Sequence, residues 1–160
     1  MHVLITIAAF NTLTLDDQTF ALKQFHFHTP SENTINGKHA PLEAYFVHAN
    51  AHGDLAVVVV MYNVGKQEDS ALSSLLSTLP ANGKTLKVES DMELETLLPK
   101  VHHYYRYNGS LTTPPCSEGV RWIVLTDPQF VEQKPLVSLS TTMGNNARPI
   151  QDHNARLILK

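Results

Sequence analysis

The chain holds a single cysteine, Cys116, in 160 residues. One thiol excludes an internal disulfide framework, and cysteine content alone does not fix the redox compartment. Long apolar runs are missing too. The longest, Leu55 to Met61, falls far short of the roughly 20 residues that a spanning helix needs, so the chain reads as soluble, with no membrane partner. Positive charge is scarce and scattered: 12 Lys and Arg stand against 15 Asp and Glu, for a net charge of -3. Without a basic cluster there is no electrostatic footprint for nucleic acid. No repeat, low-complexity tract or Pro/Gly-rich linker divides the sequence. The opening decapeptide, Met1 to Phe10, lacks a basic start and a clear small-residue cleavage site, and reads as a strand rather than a signal peptide.

What remains is 42% apolar and 17% charged residues, enough for one domain over residues 1–160 with a sizeable core. Alternation and β-branched content predict strands over Val3 to Ile7, Thr12 to Leu15, Phe20 to His28, Leu42 to Ala49, Leu55 to Asn63, Tyr104 to Tyr107, Val120 to Leu125 and Arg156 to Leu159. Asn36-Gly37 marks a tight turn. Helical spacing is confined to three places. Leu72, Leu75, Leu76 and Leu79 repeat at three and four residues, with Asp69 or Ser70 as cap and Pro80 beyond the end; Met92 to Leu98 and Pro135 to Met143 predict shorter helices. The fold class is therefore mainly β, a mostly antiparallel twisted sheet with short peripheral helices.

Chemistry concentrates in Gln24-Phe25-His26-Phe27-His28. On a strand, residues two apart share a face, so His26 and His28 point the same way and make half of a metal site. Such a pair also occurs on half-buried strands with ordinary hydrogen bonds. Gln24 lies on the same face and can accept from a ligand's second ring nitrogen. The other half should come from Leu42-Glu43-Ala44-Tyr45-Phe46-Val47-His48, where the ligand position holds Tyr45 and Glu43 is placed to support it. His48 lies on the opposite face, and His39, His52, His102, His103 and His153 read as structural or solvent-facing.

Gln24 to His28, Pro30-Ser31-Glu32-Asn33, Glu43 to His48, Tyr104 to Cys116 with its Ser-Leu-Thr-Thr-Pro-Pro run, and Asn146-Ala147-Arg148-Pro149-Ile150-Gln151 together resemble an α-class carbonic anhydrase of bacterial type, in the family's order and nearly end to end. The resemblance implies that family's sheet, a Zn2+ cofactor and reversible hydration of carbon dioxide to bicarbonate. It makes His26 and His28 the first two zinc ligands, Gln24 the outer partner of His26, and the backbone carbonyl of Asn146 the partner of His28. Thr112 matches the gatekeeping threonine and Glu32 the carboxylate behind it. An ionised Glu32 only accepts, so Thr112 would donate to it and then accept from the zinc-bound nucleophile. Val47, Val57, Leu111, Thr113, Val120 and Trp122 would line the pocket that receives CO2, and His2 falls near the proton-shuttle histidine. Family resemblance also implies a periplasmic or secreted location.

Two departures stand out. Tyr45 occupies the third-histidine position, and a phenol is a poorer zinc ligand at neutral pH that reaches further from the backbone, so weak metal affinity and reduced hydratase activity are expected. The family also has a further segment before the first strand here, including a partner for Cys116. An amino-terminally truncated chain is the expectation, with exposed apolar surface that predicts instability or homo-oligomeric association. The alternative is a catalytically inactive carbonic-anhydrase-related binding or interaction module.

Overall fold

In the computed structural model, which describes residues 4–7, 11–66, 71–77, 86–88 and 94–160, the β-branched and alternating segments form one large sheet. Its strands are β1 (Leu4–Ile7), β2 (Thr12–Leu15), β3 (Gln18–His28), β6 (Leu42–Ala49), β7 (Leu55–Val64), β8 (Leu86–Val88), β9 (Tyr104–Ser110), β10 (Glu118–Leu125) and β11 (Gln129–Val131). The order is β8-β1-β3-β6-β7-β10-β9, with β2 beside β3 and β11 beside β7. Between β3 and β6, β4 (Thr34–Ile35) and β5 (Lys38–His39) form a separate two-stranded ribbon. Asn36 and Gly37 turn it, both at positive φ (53° and 72°), the conformation that a two-residue hairpin turn demands.

Alternation along the strands divides two apolar clusters between the faces of the sheet. Phe25 and Phe27 of β3, Leu42, Ala44 and Phe46 of β6, and Val60 and Tyr62 of β7 face one way. Helices α1 (Ala71–Ser77) and α2 (Gln133–Met143) cover that face through Leu72, Leu75 and Leu76 and through Leu136, Leu139 and Met143. Each such Leu or Phe taken out of water contributes about 1.5–3 kcal/mol, which fixes the sheet against its helices. Tyr45, Val57, Val59, Met61, Val120, Trp122 and Val124 gather in the second cluster. The intervening positions of β3, occupied by Gln24, His26 and His28, therefore lie on the face away from the helices.

Pairing is mostly antiparallel, as expected, and among the described residues three pairings are parallel: β1 with β8, β7 with β10, and β7 with β11. Other expectations need correction. β8 and β11 carry too few residues to announce themselves by periodicity. Arg156 to Leu159 makes only an isolated bridge, Leu159 to Arg106, rather than a strand. Of the helix expected over Met92 to Leu98, residues 92 and 93 lie outside the described residues, and Leu94–Leu97 form a 3-10 turn that buries Leu94 and Leu97. α2 begins at Gln133, because Pro135 falls in the first turn, where its missing N-H costs no intrahelical bond. Leu79, Asp69, Ser70 and Pro80 lie outside the described residues.

His48, on the helix-covered face of β6, is buried at 8% exposure, and its Nδ1 donates to the Phe46 carbonyl at 2.8 Å. Burial lowers its pKa below the usual imidazole value, and the carbonyls of Phe46 and Ala56 pull the other way. The folded state therefore resists protonation that the unfolded chain accepts near its unperturbed pKa of about 6.5. The associated stability is present above that pH and is lost as pH falls through the depressed folded value. Urea denaturation should show the stability difference between the parent and His48→Asn shifting against the parent as pH falls from about 7.5 to 5.5, the difference isolating His48 from the other titrating groups.

Candidate active site

The site is set by the register between β3 and β6. His26 pairs with Tyr45, His28 with Glu43, and Gln24 with Val47, so all six side chains project from one stretch of one sheet face. Gln24 Oε1 accepts from His26 Nδ1 at 2.9 Å, which aims the opposite ring nitrogen away from the glutamine. His28 is fully buried, with its ring centroid 5.1 Å from that of His26 and 4.6 Å from that of Tyr45. Asn146 grips the backbone on both sides of His28. Its Nδ2 donates to the Phe27 carbonyl at 3.1 Å, its Oδ1 accepts from the Thr29 N-H at 2.9 Å, and its own N-H donates to the Thr29 carbonyl at 3.3 Å.

Glu43 is fully buried, and it reaches residue 45 through Asn33 rather than directly. Its carboxylate accepts from the Glu32 N-H at 2.7 Å, from Asn33 Nδ2 at 2.8 Å and from the Asn33 N-H at 3.4 Å, fixing the turn after β3. Burial pushes the Glu43 carboxyl up to about 7, against those three hydrogen bonds, which favour the ionised form. Tyr45 reaches past it. The phenol hydroxyl donates to Glu32 Oε2 at 3.1 Å and accepts from Asn33 Nδ2 at 3.1 Å. Burial holds its pKa well above the ordinary phenol range, and the carboxylates of Glu43 and Glu32 push the same way.

The other oxygen of Glu32 accepts from the Arg148 N-H at 3.0 Å and lies 3.5 Å from His28 Nδ1. Among the described residues no hydrogen bond joins Thr112 to Glu32, whose Oε2 accepts from the Tyr45 hydroxyl. Thr112, half-buried, lines a cavity of about 570 Å3 together with Glu32, Tyr45, Tyr107, Trp122 and Arg148. Val57, Val120 and Trp122 are buried in the second apolar cluster, with Val47 and Leu111 packed against it. Thr113 is exposed and belongs to the turn, where its carbonyl accepts from the Cys116 N-H at 2.9 Å. Trp122 donates to the Ser110 carbonyl at 3.2 Å and meets Tyr45 edge-on at 5.0 Å. Gly109 lets these rings pack close, because a Cβ there would lie 3.1 Å from the Tyr107 ring and 3.2 Å from the Trp122 ring and would press on both.

Asn33, Tyr107 and Arg148 carry site contacts that the sequence did not assign to them. Asn33 is a hub, accepting from Tyr107 Oη at 3.3 Å while donating to Tyr45 and Glu43. Each lies inside a motif that carries the resemblance, and Asn33 directly follows Glu32. His2 lies outside the described residues, and Cys116 is exposed.

Residues 5–160 match the family described as eukaryotic-type carbonic anhydrase. The chain belongs to the carbonic anhydrase family. It is 44% identical over 159 residues to a carbonic anhydrase of Pectobacterium atrosepticum, covering 98% of this chain and 65% of that protein. Similarity to the Neisseria gonorrhoeae carbonic anhydrase is 43% identity over 94% of this chain and 60% of the relative. The chain thus spans less than two thirds of the length of these relatives. The α-carbonic anhydrase structure from Photobacterium profundum superposes with a TM-score of 0.89 at 54% identity, covering 96% of this chain and 70% of that one. The α-carbonic anhydrase of Thermovibrio ammonificans, in complex with sulfanilamide, gives 0.86 at 44% identity over 93% of this chain and 66% of that one.

The residues at the carbonic anhydrase metal face do not fit a three-ligand zinc ion. Two imidazoles are present, but the third position carries a neutral phenol whose proton and lone pair are already engaged by Glu32 and Asn33. Among the described residues no group of three His, Cys, Asp or Glu is arranged to hold a metal. Removing the Glu43 carboxylate should show how much of the site depends on the turn it fixes. Glu43→Ala orphans the Glu32 and Asn33 N-H groups and should cost about 2–4 kcal/mol in urea unfolding.

Proposed function

We propose that this chain acts on carbon dioxide and bicarbonate as a carbonic anhydrase domain, and that its hydration rate is strongly reduced. Family membership supports the substrate class, and the family is generally zinc-dependent. One observation carries the reduction: the Tyr45 hydroxyl is bonded to Glu32 and Asn33 at the third-ligand position. Phenol oxygens bind zinc as phenolate, and burial beside two carboxylates disfavours that form. Zn2+ is the cofactor of this reading, with His26 and His28 the surviving ligands, and affinity for it is weak.

The remaining residues retain roles suited to a small apolar substrate that becomes an anion. Val47, Val57, Leu111, Val120 and Trp122 supply an apolar wall, against which uncharged CO2 loses little on leaving water. The Thr112 N-H can donate to an oxygen on which negative charge develops. Gln24 bonds the His26 ring, and Asn146 bonds the backbone on either side of His28. A periplasmic or secreted location and homo-oligomeric association belong to the same proposal. Among the described residues no helix is long and apolar enough to cross a membrane.

The decisive measurement sets the parent beside Tyr45→His, with zinc quantified after dialysis and CO2 hydration followed by stopped flow. The parent should hold well below one zinc per chain and turn over at least about 100-fold more slowly than the variant, in line with the cost of losing a principal catalytic contribution. Stoichiometric zinc and fast turnover in the parent would refute the reading.

A further inference from the structure

Tyr45 does more than lack a ligand nitrogen. It is 2% exposed in a face shared with two histidines, and a buried hydroxyl there is costly unless both its donor and acceptor roles are met. Both are met, by Glu32 Oε2 at 3.1 Å and Asn33 Nδ2 at 3.1 Å. Asn33 is held in turn by Glu43 at 2.8 Å and by Tyr107 at 3.3 Å, and Glu32 is held by the Arg148 N-H at 3.0 Å. The phenol ring packs 4.6 Å from His28, 5.4 Å from His26 and 5.0 Å from Trp122, centroid to centroid. A continuous hydrogen-bonded path thus runs from Tyr107 on β9 through Asn33, Tyr45 on β6 and Glu32 to the backbone of the carboxy-terminal segment. It connects three parts of the chain that strand pairing alone does not join at this point.

We propose that Tyr45 converts the histidine face into a metal-independent hydrogen-bonded core, its hydroxyl joining Glu32 to Asn33 from the strand position where a third metal-binding nitrogen belongs. This rests on the assignment of positions 26, 28 and 45 to the carbonic anhydrase site, and it says what that position does in this chain. The site holds its shape with no ion. The same hydroxyl donates to Glu32, the carboxylate that the family resemblance assigns to Thr112, so one residue both removes a metal ligand and adds a second claim on that carboxylate. Tyr45 is thereby a positioning residue for Glu32 and Asn33.

Thermal unfolding of the full chain, in EDTA and again in excess Zn2+, tests this without substrate. The parent Tm should agree in the two buffers within about 1 °C, since a ligand that binds the native state weakly adds little stability. Tyr45→Phe keeps the ring and removes the hydroxyl, and should melt at least about 3 °C lower in both buffers. Tyr45→His should melt below the parent in EDTA and be raised several degrees by zinc. A zinc-dependent rise of more than about 3 °C in the parent would overturn the proposal, as would Tyr45→Phe melting at or above it. Glu32→Gln gives an independent arm, because its one amide oxygen can still accept from either the phenol or the Arg148 N-H, whereas alanine can accept from neither. It should melt above Glu32→Ala, and equal melting of the two counts against the path. A Tyr45→His variant with no hydratase gain would sink the functional reading and leave these melts standing; Tyr45→Phe melting with the parent would do the reverse.

Discussion

The register between β3 and β6 is the constraint on which everything else in the molecule rests. With His26 opposite Tyr45 and His28 opposite Glu43, the site residues of both strands fall on one face and Phe25, Phe27, Leu42, Ala44 and Phe46 on the other. A slip of one residue would send the histidines and Glu43 under the helices and bring Phe25, Phe27 and Phe46 onto the polar face. The apolar cluster beneath α1 and α2 therefore selects the register. Site geometry is a consequence of core packing on the far side of the sheet.

That arrangement brings charged and polar groups into a dry setting, and each needs partners. Glu43, His28 and Ser31 are among the buried polar residues. The segment from Thr29 to Asn33 supplies most of what they require: backbone donors for Glu43, and a Ser31 hydroxyl that donates to the Asn33 carbonyl at 2.6 Å and accepts from the Ala40 N-H at 2.9 Å. A polar network of this kind is stabilising only when complete, because each orphaned group inside it costs more than the bond it would have made returns. The phenol at position 45 was accommodated by such completion, through partners that already lay nearby.

Much of this architecture was readable from the sequence, and the exceptions have physical causes. β3, β6 and β7 are long and patterned enough that periodicity locates them within a few residues, and the two faces follow directly. β8 and β11 have three residues each and exist only because a neighbour's edge is available to pair with them. The parallel pairing of β7 with β10 is set by how the chain returns across the sheet, which no local pattern records. At the site, His26, His28 and Gln24 were legible because a strand's period fixes which way side chains face. The partners of Glu32 and the central place of Asn33 were not, because they depend on how far a tyrosine reaches once buried. Sequence reasoning treated Tyr45 as an unsuitable ligand; the structure adds that its hydroxyl is fully employed.

The parallel pairing of β7 with β10 also bears on how the molecule assembles. β2, β3, β6 and β7 pair with strands close by along the chain, so the histidine face and its aromatic backing can form from the segment ending at Val64. β10 joins β7 through pairs such as Val59 with Val124, contacts that close a long loop and bear its entropic cost. Trp122 and the cavity wall thus reach Tyr45 only after that closure. The histidine strands are tied by local pairings, and the enclosure that makes them a site depends on the long-range one.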